Sequence, residues 1–385
     1  MKYKIIIKGG YGFGNFGDDA LLYVLHEYFS NFFSKNELAY SGEKSNYLTK
    51  IIGEYDVVPN DADFSNLTEI LMFGGGTQFY SFDVSSFISR IKFSHLRLIA
   101  NPAELAKRIK YVYHSVLKKY FKKTQNYSND LTILSIGIGL GPFYNSKDRS
   151  IELNTEYLFK KMDFIAVRDL FSLAKCQEWD VNANLYSDIC YYWDNPLFKV
   201  NNSKKSINKI GIIVRDWKLT EKEGYYNENL LRFSKFMLES GKDVSYFVFS
   251  QLTDSEWIDT LKKNNIKYHL WNPKIDTFDS YISLLSEMDL FITARYHGAI
   301  FSTLLNKPFI TINIEPKLSL VNELFNNASK SWEYPYKIER LVKLVEEIDT
   351  KYPEYIQNII HQKEKQIDLA KTMFSDFSKL LNIHL

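Results

Sequence analysis

Asp289-Leu-Phe-Ile-Thr293-Ala-Arg295-Tyr-His297-Gly298-Ala-Ile-Phe-Ser-Thr-Leu-Leu-Asn-Lys-Pro308 is the stretch that decides how this chain is read. Residues 289–293 make an apolar run of strand length, and Ala299, Ile300, Thr303 and Leu304 then recur at helical spacing. Arg295 and His297 therefore fall where the carboxyl end of a strand meets the amino end of a helix. Unsatisfied N–H groups and the positive end of the helix dipole make such a junction receptive to an anion. The strand-then-helix unit is the motif from which the fold follows.

Outward from this stretch the same alternation repeats. Pro308 to Ile314 reads as the next strand, and Phe278 to Ser286 as the preceding helix. Earlier come the strand Lys209 to Val214, ending in Arg215-Asp216-Trp217, a helix over Leu230 to Leu238, and strands at Val244 to Phe249 and Ile266 to Leu270. In the first half, the β-branched run Lys4 to Lys8 leads into Gly9-Gly10-Tyr-Gly12-Phe-Gly14-Asn15-Phe-Gly17-Asp18-Asp19 and then a helical pattern through Leu21, Leu22, Leu25 and Tyr28. Glu69 to Phe73 runs into Gly74-Gly75-Gly76-Thr77, and Leu131 to Ile136 into Gly137-Ile-Gly139-Leu-Gly141-Pro142. Met162 to Val167 is a strand that meets Arg168, and Asn184 to Ile189 is a further short strand. Strands alternating with helical patterns imply βαβ units and parallel sheets. Three strands ending in glycines are expected to cluster at one sheet edge, outside which open α/β sheets bind ligands. The polar stretch 201–209 lacks periodicity and sets a domain boundary. The expected architecture is α/β, with two Rossmann-like doubly wound domains facing a cleft: residues 1–200, and residues 205–385 with a helical tail from Glu339.

The totals bound the class. A chain of 385 residues, 45% hydrophobic and 24% charged, is soluble and globular, and too long for one ordinary core. A net charge of +2 gives no argument for nucleic acid. Cys176 and Cys190 lie outside any metal-ligand spacing, which fits a reducing compartment. The first apolar run is too short for a signal sequence, and no stretch reaches the roughly 18 apolar residues of a membrane span. A cytoplasmic protein is expected. Arg90 to Lys123 holds ten Lys/Arg and one acid, Glu104, with Leu105, Ile109, Val112 and Val116 at helical spacing. This basic helical insertion (90–125) reads either as a solvated face or as a peripheral contact with an anionic membrane surface.

Gly12-x-Gly14-x-x-Gly17 matches a dinucleotide fingerprint in form. The chemistry opposes it, because Asp18 and Asp19 stand where a pyrophosphate would meet the helix, and they are favourable simply as helix N-terminal acids. The motif reads instead as a tight turn that brings backbone and polar side chains toward a ligand.

Gly14-Asn15-x-Gly17-Asp18, the triple glycine after a strand, Val167-Arg168-Asp169 with Ser172, and Arg295-x-His297-Gly298 with Lys307-Pro308 and Lys317, in this order, resemble the polysaccharide pyruvyl transferases. The resemblance runs from Tyr3 to about Lys317. Two departures stand out: Glu315-Pro316 where members often carry Pro-Tyr, and Asp188-Ile-Cys190 where they often carry Asp-Pro-Ala. The resemblance implies an enzyme that moves pyruvate from phosphoenolpyruvate onto a sugar, usually as a cyclic ketal, on a fold similar to the GT-B glycosyltransferases. It implies phosphoenolpyruvate as co-substrate with no further cofactor, and a nucleotide- or lipid-linked sugar as acceptor. It also implies substrate contacts from Asn15, Gly17, Gly75, Gly76, Gly298 and Lys317.

The residue types suit that chemistry. A substrate carrying a carboxylate and a phosphate needs concentrated positive charge, and Arg295, Arg215 and Arg168 are each expected at a strand's carboxyl end. The planar guanidinium fork grips either group bidentately. No His/Asp/Glu cluster has ligand spacing, so metal-free chemistry is expected. Histidine titrates near neutrality, and His297 beside Arg295 is expected either as acid/base or as a phosphate contact. Asp18, with Asn15 orienting, is the candidate base or sugar-hydroxyl acceptor. Two rival readings are a nucleotide-sugar glycosyltransferase, to which the spacing Glu315-x₇-Glu323 would belong, and a non-catalytic sugar-binding protein.

Overall fold

A computed structural model describes residues 3–81, 130–143, 149–199, 206–217 and 225–382. The basic insertion read at 90–125 lies outside these residues. The chain forms two compact units, one drawn from Met1–Phe13, Asp18–Ile189 and Ala370–Leu385, the other from Gly14–Gly17 and Cys190–Leu369.

The first unit holds a seven-stranded sheet. Its strands are β1 (Tyr3–Lys8), β2 (Leu38–Gly42), β3 (Asp56–Pro59), β4 (Thr68–Ser81), β5 (Thr132–Phe143), β6 (Phe164–Val167) and β7 (Asn184–Leu185). They run parallel in the order β3-β2-β1-β4-β5-β6-β7. Helices α1 (Phe16–Phe29), α2 (Thr49–Ile52), α3 (Ser150–Phe159) and α4 (Leu170–Glu178) connect them. The sequence direction reverses between β1 and β4, so the ends of these two strands flank the switch point of a Rossmann-type sheet. Ile5, Ile6 and Ile7 of β1 are wholly buried, as a strand covered on both faces requires.

Two expectations are corrected here. The glycine runs do not end their strands: β4 continues through Gly74–Gly76 to Ser81, and β5 through Gly137–Gly141 to Phe143. The glycines take positive φ at 75, 76, 137 and 141, a region closed to most side chains, and the ladders carry register shifts around them. The stretch Asn184 to Ile189 is strand only over β7 and then becomes a 3₁₀ turn at Ile189–Tyr192.

The second unit holds a six-stranded sheet. Its strands are β8 (Lys209–Val214), β9 (Asp243–Val248), β10 (Tyr268–Leu270), β11 (Leu290–Thr293), β12 (Phe309–Ile312) and β13 (Ser329–Trp332). All pairs are parallel, in the order β10-β9-β8-β11-β12-β13. The helices are α5 (Tyr225–Glu239), α6 (Ser255–Lys263), α7 (Phe278–Ser286), α8 (Tyr296–Leu304), α9 (Pro316–Leu324), α10 (Ile338–Thr350) and α11 (Tyr352–Leu380). The switch point falls between β8 and β11, paired from Leu290 with Ile210 to Thr293 with Ile213. These are the strands that deliver Arg215 and Arg295.

The units divide differently from the expected 1–200 and 205–385. The second takes Gly14–Gly17 and starts its main stretch at Cys190, and the part of α11 from Ala370 on belongs with the first. Aromatic packing is the reason: Phe374 lies 4.5 Å from the Tyr28 ring, and Phe377 lies 5.6 Å from Phe29 and 5.9 Å from Phe164. The Tyr186 hydroxyl also donates to Asp376 at 2.9 Å.

Candidate functional site

The corner of the second unit is built by one threonine and one glycine. Thr293, the last residue of β11, accepts a hydrogen bond from the Arg295 N–H (3.0 Å) and donates its hydroxyl to the Arg295 carbonyl (2.9 Å), folding the chain sharply into α8. A β-carbon at Gly298 would fall 2.2 Å from Thr293 Oγ1, so Gly298 is what lets α8 sit down on β11. Its role in the structure is this close approach.

Arg295 occupies the N-cap position of α8 with extended backbone. Its buried guanidinium donates from Nε to the Val214 carbonyl (3.2 Å) and from Nη2 to Thr253 Oγ1 (2.9 Å) and to the carboxylate of Asp254. Arg215, just past β8, donates to Glu315 and stacks over the Trp217 ring at 4.5 Å, while its carbonyl accepts from the Tyr226 hydroxyl. Lys317 Nζ stands 3.2 Å from the same Glu315 carboxylate. Asp216 caps α6, accepting from the N–H groups of Glu256 (2.8 Å) and Trp257 (3.1 Å). Thus β8, β11 and β12, adjacent in the sheet, lead to Arg215, Arg295 and Glu315 respectively.

The far end of α8 is held as well. Lys363 of α11 donates from Nζ to the carbonyls of Leu304 (3.3 Å) and Phe198 (3.1 Å). A cation at a helix carboxyl end complements the dipole that makes the amino end receptive to anions. Burial pulls this ammonium down to about 8.

Residues Gly14–Gly17 belong to this unit although they follow β1 in sequence. Asn15 bridges to Ser250, and the Phe16 N–H donates to the Phe249 carbonyl at 2.9 Å. The Phe16 ring sits among Phe301 (4.7 Å), Tyr281 (4.8 Å), Phe249 (4.9 Å) and Trp271 (5.1 Å). The Asn15 side chain accepts from the Gly17 N–H (3.3 Å), and Gly17 lies against the His297 ring. Four of the expected site residues, Asn15, Gly17, Arg295 and His297, are therefore brought together here, with Arg215 just past β8 and Lys317 in the first turn of α9.

In the first unit, the half-buried Asp18 lies beside Gly10 and Gly76, its carboxylate 3.6 and 3.7 Å from where their β-carbons would stand. Tyr11 donates its hydroxyl to the Gly74 carbonyl (2.6 Å). Burial pushes its phenol well above the ordinary value, and the nearby Asp18 carboxylate adds to that. Asp19 is buried and accepts from the Tyr47 hydroxyl at 2.8 Å, a structural acid. Gly75 packs on Ile189, which leaves no room for a side chain.

Arg168 also lies in the first unit. Its guanidinium, 2% exposed, donates to Asp188 (2.8 Å) and Thr77 Oγ1 (3.0 Å). Asp169 caps α4 through the Ser172 N–H (2.7 Å), and the Ser172 hydroxyl accepts from the Leu140 N–H of β5 (2.8 Å). The Val167-Arg168-Asp169…Ser172 motif thus fastens α4 to the sheet.

The expected concentration of positive charge is offset one for one. Arg295 is paired with Asp254, Arg215 with Glu315 and Arg168 with Asp188. Asp254 and the pairing role of Glu315 escape a local reading because their partners are 41 and 100 residues away. Among the described residues no helix is long and apolar enough to cross a membrane.

Comparison with known proteins agrees with this geometry. No curated protein matches the chain. Among solved structures, UDP-bound MnaA of S. aureus superposes with a TM-score of 0.58 at 9% identity, over 100% of this chain and 98% of that one. A putative UDP-N-acetylglucosamine 2-epimerase from Listeria monocytogenes gives 0.56 at 12% identity, over 100% and 98%. Alr3699/HepE of Anabaena in complex with UDP gives 0.55 at 10% identity, over 98% and 99%. At these identities the likeness speaks for the fold alone: Rossmann-like α/β units of the kind found in GT-B proteins. The sequence profile of polysaccharide pyruvyl transferases matches residues 15–316, from Asn15 of the first glycine loop to Pro316 at the start of α9, and the chain belongs to that family.

Proposed function

We propose that this protein transfers pyruvate from phosphoenolpyruvate to a sugar of a surface-polysaccharide precursor, closing a cyclic ketal and releasing phosphate. One observation carries the reading beyond family membership: Arg295, His297, Arg215 and Lys317 converge at the switch point of the second sheet, the usual ligand position in such folds. Two guanidinium groups and an ammonium gathered there are suited to the carboxylate and phosphate of the donor.

The steps balance as follows. A sugar hydroxyl adds to C2 of the enol phosphate while its methylene carbon takes a proton, which gives a methyl group and a tetrahedral ketal phosphate. Phosphate then leaves with the C–O electron pair, and a second hydroxyl attacks the resulting oxocarbenium carbon. The first hydroxyl's proton ends in the methyl group and the second's on phosphate. His297 is assigned to proton transfer or to the leaving phosphate, with Asn15 and Gly17 setting its surroundings. Asp18 of the first unit is assigned to the acceptor hydroxyl, with Gly10 and Gly76 keeping the backbone beside it bare of side chains. Arg168, enclosed by Asp188 and Thr77, is assigned to holding the first unit together rather than to the donor.

The test is phosphate release from phosphoenolpyruvate across nucleotide- and lipid-linked sugars, with product mass as readout. The expected product is the sugar plus pyruvate less water, and His297→Ala should lower its formation about 10²–10⁴-fold.

A further inference from the structure

We propose that Glu315 is a built-in counter-anion: its carboxylate bridges Arg215 and Lys317 and must be displaced by the donor, so that it sets the charge selectivity of this corner. The inference rests on the reading of that corner as the donor site.

Three observations carry it. Glu315 stands at the N-cap of α9, yet its side chain makes no capping bond and turns instead toward Arg215 and Lys317. The carboxylate is 4% exposed, whereas the two cations it joins are 22% and 26% exposed, so it fills the inner side of their shared space. The backbone that carries it is fixed: Asn313 accepts from the Tyr336 hydroxyl at its carbonyl (2.9 Å) and from Ser319 at its side chain (3.0 Å), and its amide donates to Glu333. The Glu315 side chain can therefore swing away without its backbone following.

The consequence is a threshold. A monoanion entering between Arg215 and Lys317 only replaces one carboxylate by another and gains little. An anion with a second acid group brings more charge than Glu315 and can displace it. The protein would then hold a phosphorylated carboxylate while rejecting simple carboxylates, including the one that remains when phosphate has left. Removing one negative charge about 5 Å from a dianion raises affinity by about tenfold even at the dielectric of water, about 80.

The experiment titrates inorganic phosphate and, separately, pyruvate into the full-length protein and into Glu315→Gln, by calorimetry and by the fluorescence of Trp217 beneath Arg215, with Trp217→Phe identifying that signal. The expected result is phosphate affinity about tenfold higher in E315Q, together with measurable pyruvate binding that the unsubstituted protein lacks. Unchanged or weaker phosphate affinity in E315Q, or no phosphate binding by either protein, would overturn the proposal, since Glu315 would then only position the two cations. If E315Q does not fold, Glu315→Asp serves, because a shortened carboxylate reaches both cations less well. Affinity should again rise, and a fall or no change overturns the idea. Neither probe requires turnover, so a gain in phosphate affinity without phosphate release from phosphoenolpyruvate would leave this role standing while the pyruvyl reading fails.

Discussion

Gly17 lies so close to the imidazole of His297 that a β-carbon at residue 17 would fall 2.2 Å from Nδ1. A glycine from the start of α1 and a histidine from the start of α8, 280 positions later, are thereby fitted to one another. The fit is held by the Phe16 ring in its aromatic surround and by the Asn15 bridge to Ser250.

Gly17→Ala should therefore push the His297 ring aside and lower turnover about 10²-fold or more, within the range expected for losing a proton-transfer group. Thermal unfolding should drop as well, because the added methyl would also stand 2.8 Å from His297 Cβ, which turning the ring does not move. Steady-state kinetics beside a melting curve checks this, and wild-type turnover in a folded variant would contradict the fit.

Arg168→Ala should act on stability rather than on the donor. It leaves the buried Asp188 carboxylate without its cation, which costs about 3–5 kcal/mol. Urea denaturation measures the loss. A variant of unchanged stability with a raised KM for phosphoenolpyruvate would return Arg168 to the donor site.

Acid should weaken the protein through His26. Burial lowers its imidazole from the ordinary value to about 4, and its Nδ1 lies 2.8 Å from the Tyr40 hydroxyl. The unfolded chain takes up a proton as pH falls through about 6.5 while the folded one does not until about 4, so stability present above 6.5 is lost across that interval. Discounted for partial exposure, the loss is about 1 kcal/mol. His26→Gln should remove that part of the pH dependence, as read by denaturation at pH 7 and pH 4.5. An identical slope in both proteins would refute it.

The basic run from Arg90 to Lys123 motivates a lipid-linked acceptor. Reversing charge at Lys118, Lys119, Lys122 and Lys123 should abolish binding to anionic vesicles in a flotation assay, at about 1 kcal/mol per residue. Equal binding by both proteins would sink the idea.

The fold was legible where a strand is wholly apolar and buried on both faces. Runs such as Ile5–Ile7, Ile210–Val214 and Leu290–Thr293 announce themselves, and α7 is found at its read bounds. β2, with its Ala-Tyr-Ser centre, and β13, Ser-Lys-Ser-Trp, carry no such pattern and are defined by their neighbours. The glycine runs were visible, but continuation of β4 and β5 through them was not, because ladder partners decide it. At the site, Arg295, Arg215 and His297 could be placed at strand ends from local pattern alone. Their carboxylate partners could not, since Asp254 and Glu315 meet them only through the sheet order.

The central claim is that the Arg295–His297 corner serves pyruvyl transfer. Its most direct test is the stoichiometry of inorganic phosphate released from phosphoenolpyruvate against ketal formed on an accepted sugar, for the wild-type protein and for His297→Ala. The account predicts one phosphate per ketal, with both lost together in the variant. Release of a nucleoside diphosphate from a nucleotide sugar, with phosphoenolpyruvate untouched, would contradict it.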